Sequence, residues 1–154
     1  MSFETMTVDS MDAKICERNI LMKLKPVGFY KEFEYGYGYD RDESLYDVIA
    51  ASPDLNEDKI ICYLKSGEVF LISPTVTQDV LSKDKEFIDS LKILTDGIWA
   101  WSSDLAYYVK EYHITINKDF VSHMCNNGWV INKGAIDLDE LEKQNRPWPP
   151  RSGM

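Results

Sequence analysis

The stretch FIDSLKILTDGIWAW, Phe87 to Trp101, decides the fold class. Two β-rich runs, 87–95 and 98–101, flank Asp96-Gly97, a dipeptide suited to the positive φ angles of a tight turn. The spacing predicts a strand, a turn and a returning strand. Working backwards, 59–65 and 68–73 are two more β-rich runs, and Ser66-Gly67 between them predicts a second hairpin. A loop containing Pro74 should lead on to Phe87. Strands that follow one another without helices between them imply an antiparallel sheet rather than a parallel βαβ arrangement.

Helices are expected on either side of this block. Ser102 or Ser103 can cap one in which Leu105, Tyr108, Val109 and Tyr112 share a face. Asn117 can cap a second that ends at Gly128, and 138–141 can form one further helical turn. Towards the start, Ser10 can cap a helix to about Leu24, with Ala13, Cys16, Ile20 and Leu24 as its apolar stripe and Pro26 and Gly28 ending it. A strand over Lys31–Asp40 follows, weakened by Gly36 and Gly38. A short helix near Ser44–Ala51 should turn Leu45, Val48 and Ile49 inward. The expected fold is therefore α+β: one domain over 1–154, with an antiparallel sheet of about four or five strands and helices mainly on one face. The Pro-rich tail, about 144–154, should be mobile or laid on the surface. No internal repeat or linker interrupts the chain.

The chain has 154 residues, 44% of them hydrophobic and 12% aromatic, ample for a core. No apolar run approaches the ~18 residues of a membrane span, and the first residues lack a basic segment followed by an apolar stretch. Cys16, Cys62 and Cys125 form no C-x-x-C pair and are expected as buried free thiols in a reducing compartment. A cytoplasmic location follows from these readings. With 17 basic against 26 acidic residues the net charge is −9, which disfavours nucleic acid and anionic lipid and suits a basic protein partner.

Chemistry-bearing motifs are sparse. His113 and His123 are the two histidines, and neither accompanies a Gly-x-Ser-x-Gly elbow or a local cysteine signature. His113 is expected as a helix-end structural residue. His123 and Cys125 sit two apart on a helix and so diverge, and no zinc-type spacing occurs. Tyr35-Gly36-Tyr37-Gly38-Tyr39 lacks the Gly-x-x-x-x-Gly-Lys of a phosphate cradle. No metal or cofactor is expected, and the chain reads as a binding protein rather than an enzyme. Arg146-Pro147-Trp148-Pro149-Pro150-Arg151 superficially matches a polyproline ligand. Trp99, Trp101, Tyr107, Tyr108 and Tyr112 fit helix-on-sheet core packing.

Charge distribution is the strongest functional signal. From Glu32 to Asp58 there are nine carboxylates against one base, Arg41, so −8 of the total −9 falls in this stretch. Aromatics interleave with the acids. Glu32, Glu34, Tyr35, Tyr37, Tyr39, Asp40, Asp42, Glu43 and Asp47 are the candidate partner-binding residues: tyrosines as rigid anchors, carboxylates to steer a basic protein into place.

Thr95-Asp96-Gly97-Ile98-Trp99-Ala100-Trp101, then Asp104-Leu105-Ala106-Tyr107-Tyr108-Val109, Tyr112-His113 and Trp129, resembles a stretch found in small bacterial proteins. Some of these are encoded beside polymorphic or contact-dependent toxins as immunity proteins. The resemblance covers about a quarter of the chain, Leu94–Trp129, and Ser102 stands where the pattern has a proline. It brings no catalytic residue with it. It implies a cytoplasmic protein that binds and neutralises one cognate toxin. The alternative is a small-molecule-binding domain or enzyme with a pocket near Asp104 and His113.

Overall fold

The computed structural model describes residues 23–33 and 43–145. At its centre Asp96 makes the turn the sequence predicts. Its Oδ1 accepts the amides of Ile98 and Trp99 at 2.9 and 2.7 Å, and Gly97 takes φ +101°, which a Cβ would disfavour. Strand β3 (Phe87–Thr95) thereby folds back antiparallel onto β4 (Trp99–Ser102), with Thr95 opposite Ala100. On the far side of β3 lies β2 (Glu68–Gln78), also antiparallel. It runs straight through Pro74, where a loop is expected from sequence. An edge strand tolerates this proline because the missing N–H can face outwards, and the pairing register shifts between Ile72 and Val76 to absorb it.

The fourth strand corrects a sequence expectation. β1 (Lys25–Pro26) pairs parallel to β4, so the order is β1-β4-β3-β2 and the four-stranded sheet is mixed rather than wholly antiparallel. The Lys25 amide donates to the Ile98 carbonyl at 2.8 Å and the Val27 amide to Ala100 at 3.0 Å. Lys-Pro carries no strand propensity of its own, and its partner lies far along the chain, so local reading could not find it.

A larger correction concerns 59–65, which is helix α1 (Glu57–Lys65) and not a strand. Ile60, Tyr63 and Leu64 are buried at three- and four-residue spacing, while Cys62 is exposed. Glu57 and Asp58 in the first turn and Lys65 in the last complement the helix dipole. The β-branched pair Ile60-Ile61 gives the run its strand-like look; tertiary burial overrides it. Ser66-Gly67 is thus the exit from a helix. A Cβ on Gly67 would lie 2.7 Å from Trp101 Cζ2 and 3.0 Å from Leu94 Cβ, so the glycine answers close approach rather than hairpin geometry.

Three further helices follow: α2 (Leu105–Tyr112), α3 (Lys118–Asn126) and α4 (Leu138–Gln144). Asn117 caps α3 as expected, its side chain accepting the Asp119 and Phe120 amides at 2.8 and 3.2 Å. Asp104, rather than either serine, occupies the N-cap of α2. Residues 10–22 of the expected helix, 34–40 of the expected strand and the Arg146–Arg151 run lie outside the described residues; Lys23 and Leu24 are not helical, and 31–33 form a turn rather than a strand.

The α+β arrangement buries two apolar layers. On one face Trp99, Trp101 and Leu94 meet α1, α2 and α3. Phe120 is the hub, its ring 5.0 Å from Trp99, 5.2 Å from Trp101 and 6.0 Å from Tyr63. Tyr108 is wholly buried in the same layer. On the opposite face a smaller cluster joins Ile93 and Ala100 to Leu24, Phe29 and Leu141 of α4. Alternation along β4 explains the division, since Trp99 and Trp101 point one way and Ala100 the other.

The loop after β2 is pinned by α2. Asp79 is buried; its Oδ2 accepts the Tyr107 and Tyr112 hydroxyls, each at 2.7 Å, and its Oδ1 accepts the Leu81 and Ser82 amides. The Tyr108 hydroxyl donates to the Gln78 carbonyl at 3.1 Å and accepts the Val80 amide at 3.0 Å. Replacing Gly67 by alanine forces Trp101 or the backbone at Thr95 to move. Gly67→Ala is expected to lower the unfolding free energy by about 1–3 kcal/mol, as overpacking does. Urea unfolding followed by tryptophan fluorescence measures it, and unchanged stability would contradict the close packing described for this glycine.

Candidate functional site

Between Phe33 and α1 the described chain, 43–56, has one regular element, a 3-10 turn at Leu45–Asp47. Glu32 builds it. Its Oε1 accepts the Leu45 amide at 2.7 Å and its Oε2 accepts the Ser44 hydroxyl, while Ser44 Oγ accepts the Tyr46 amide at 3.2 Å. Burial opposes the charge on Glu32, but the bonds from Ser44 and the Leu45 amide outweigh it and hold its carboxyl below the usual range. Leu45 is wholly buried and anchors the turn. Farther along, the Val48 carbonyl accepts the Thr115 amide at 2.8 Å.

What this segment presents outwards is mixed in character. Leu55 is 98% exposed, Tyr46 63% and Ile49 40%. Ile49 corrects the expectation that it faces inward: the chain makes a single 3-10 turn there, not a helix, so the three- and four-residue spacing that would bury it is never completed. Glu43, Asp47, Asp54 and Asp58 are exposed carboxylates of 43–58, Glu57 is mostly buried against His113, and no lysine or arginine falls in that stretch.

The sequence-derived site residues divide accordingly. Glu43 and Asp47 lie exposed on this segment. Glu32 supports the segment from within, its carboxylate engaged by Ser44 and Leu45. Glu34, Tyr35, Tyr37, Tyr39, Asp40 and Asp42 lie outside the described residues. Leu55 is a surface residue the sequence reading passes over, Ile49 is expected inward from sequence, and Asp54 counts in the acidic stretch without being named a site residue. The cue available for Leu55 was its place between Pro53-Asp54 and Asn56, a turn-forming context that leaves no apolar neighbour to pack on.

A cavity of about 470 Å³ opens beside the segment, between Ala50–Asp54, α1 and α3. Ile60, Val109, Ile116 and Val121 contribute apolar wall, and Asp54, Glu57, His113 and Lys118 contribute charge or polarity. His113 is the C-cap of α2, in the left-handed region at φ +53°. Its Nδ1 lies 2.7 Å from Glu57 Oε2; a carboxylate accepts, so Nδ1 donates and Nε2 of a neutral ring is left as the acceptor. Among the described residues no serine hydroxyl or cysteine thiol is hydrogen-bonded to His113. Asp104 does not join this cavity. It sits buried at the other end of α2, about 13 Å away along the helix axis, where it accepts from the Ser102 hydroxyl.

Searches for a matching protein family, a similar curated protein or a similar solved structure found none.

The remaining chemistry-bearing side chains are committed elsewhere or isolated. His123 Nε2 is 3.1 Å from Asp96 Oδ2, and Tyr63 donates its hydroxyl to the same oxygen at 2.6 Å. Burial and the neighbouring Asp96 carboxylate both push the Tyr63 hydroxyl well above its ordinary pKa. Cys62 and Cys125 are exposed, contrary to the expected burial, because each falls on the outward side of its helix; Cys16 lies outside the described residues. Among the described residues no three His, Cys, Asp or Glu side chains gather in a metal-binding group.

Glu32 and Asp79 share a pH signature. For Asp79 too, burial raises the carboxyl pKa, while the bonds from Tyr107, Tyr112, Leu81 and Ser82 lower it further. Each folded-state value lies below its unfolded value, so each contributes stability that is present above about pH 4 and lost as the pH falls through the folded value. Glu32→Gln is expected to cost about 1–3 kcal/mol at pH 7 and to flatten the decline of unfolding free energy between roughly pH 5 and 3. Chemical denaturation at stepped pH measures both effects. A variant as stable as the parent at pH 7 would show that Glu32 does not hold the turn.

Proposed function

We propose that this chain is an inhibitory binding protein of the immunity type, which covers a basic protein partner with the face formed by residues 43–58. One observation carries the reading: Leu55, Tyr46 and Ile49 are exposed on a stretch in which Glu43, Asp47, Asp54 and Asp58 are exposed too and which contains no base. Large apolar side chains exposed beside acids give a surface suited to contact with another protein. Acids around them steer a cationic surface into place and disfavour anionic ones such as nucleic acid. The resemblance of Leu94–Trp129 to small immunity proteins supports the same reading, with a toxin as the partner. No helix of the described residues is long and apolar enough to cross a membrane, and action in the cytoplasm belongs to the same proposal.

The cavity beside the segment supports a second reading, binding of a small molecule at His113. Asp54 and Glu57 belong both to the acidic stretch and to the cavity lining, so the two readings share a border and need separate tests.

The test is to co-express the chain with the product of the adjacent gene, purify the complex and measure both rate constants across ionic strength. Asp47→Lys/Asp54→Lys is expected to slow association severalfold at low salt, with a smaller effect on dissociation. Leu55→Ala or Tyr46→Ala is expected to speed dissociation and weaken binding by about 2 kcal/mol or more. Asp79→Asn, which acts on stability through α2 and lies outside this face, should leave both rates near those of the parent wherever it is folded. Surface variants that bind that partner as the parent does would place the interface elsewhere. Glu57→Gln, with binding kinetics intact but loss of a small-molecule ligand, would favour the second reading.

A further inference from the structure

A second groove, of about 510 Å³, lies between α2 and the β2–β3 half of the sheet. Gly67 and Ala106 are the smallest residues of its lining. Its floor is apolar, formed by Val69, Ile88 and Leu94, and Val69 is 42% exposed to solvent.

The rim has the opposite charge to the rest of the molecule. Lys65 from the end of α1, Lys92 from β3 and Lys110 from α2 converge on it. Among the described residues neither Lys65 nor Lys110 has an ion-pair partner, and Lys92 meets Asp89 only at 3.7 Å. Asp89 and Glu111 are the carboxylates on the same lining. Three lysines against two carboxylates leave a surplus of one positive charge, in a chain whose total is −9.

We propose that this groove binds a soluble amphipathic monocarboxylate, a medium-length acyl chain or an aryl group lying on Val69, Ile88 and Leu94 with its carboxylate among the three lysines. Each part of the ligand follows from the lining. The apolar floor calls for a hydrocarbon portion, and the volume lies within the range of ordinary small-molecule sites. The single surplus charge matches one negative charge; a multiply charged phosphate would meet Asp89 and Glu111 without the arginine forks that usually bind it. The site is separate from the 43–58 face, and no lining residue is shared between them.

Calorimetric titration of the full chain with octanoate at low salt tests this, with octan-1-ol and octyltrimethylammonium as comparisons. Octanoate is expected to bind, octan-1-ol at least about tenfold more weakly, and the cation not at all. Lys65→Gln/Lys110→Gln, on exposed positions, should weaken octanoate binding about tenfold while leaving the urea unfolding curve in place. Amide chemical-shift changes should cluster at 88–92 and 106–110. Equal binding of alcohol and carboxylate, an unaffected lysine variant, or shift changes centred on His113 would each overturn the proposal. So would co-sedimentation with phosphatidylglycerol vesicles that octanoate does not displace, because the ligand would then be a membrane surface.

Discussion

One buried carboxylate holds the layers in register. The side chain of Asp96 is 1% exposed, yet it is met from three directions: by the Ile98 and Trp99 amides of its own turn, by the Tyr63 hydroxyl of α1, and by His123 of α3. Each contact fixes a different degree of freedom. The amides set the hairpin, the tyrosine sets how far α1 slides along the sheet, and the histidine sets the rotation of α3. A buried charge left without such partners costs several kcal/mol, so the position of Asp96 favours the one arrangement in which all of them arrive together. The aromatic hub around Phe120 is built on that arrangement, with Trp99 adjacent in sequence to the turn and Tyr63 reaching the same carboxylate.

The acids of this chain therefore fall into two populations, which net charge alone cannot separate. Glu32, Asp79 and Asp96 accept backbone and hydroxyl donors and work inside the fold. Asp47, Asp54 and Asp58 are exposed. Salt should act mainly on the second set and acid on Glu32 and Asp79, because screening reaches solvent-exposed charges while linkage follows shifted carboxyls. The structural acids also position the exposed ones: Glu32 holds the turn from which Tyr46 and Asp47 project.

What could be read from sequence was whatever local chemistry decides. The Asp96-Gly97 turn, the Asn117 cap and the shared face of Trp99 and Trp101 follow from residue types a few positions apart, and the structure has all three. Where burial decides, local reading failed. Ile60-Ile61-Cys62-Tyr63 looks like a strand until Trp101 and Phe120 take up one side of it, and Lys25–Pro26 looks like nothing until Trp99 and Ala100 lie beside it. The candidate surface was legible as charge, because −8 in one stretch is visible in the letters, but not as shape. That Leu45 is enclosed goes with a turn held by Glu32 from twelve residues away. The lysine groove was invisible for the same reason, since Lys65, Lys92 and Lys110 come from three separate elements.

The parallel pairing of β1 with β4 sets an order of events on the ribosome. Lys25 pairs with Trp99, 74 positions further along the chain. At roughly 5–20 residues per second of synthesis, about 4–15 s pass between the two. During that interval Leu24, Val27 and Phe29, all buried in the finished protein, have no β4 to lie against. The β2–β3 hairpin closes over a shorter span and can form first, leaving one side of the sheet to be completed later by a segment made well before it. A nascent chain of this design carries Leu24, Val27 and Phe29 without their β4 partner for seconds, so chaperone contact during synthesis is expected to include 24–29.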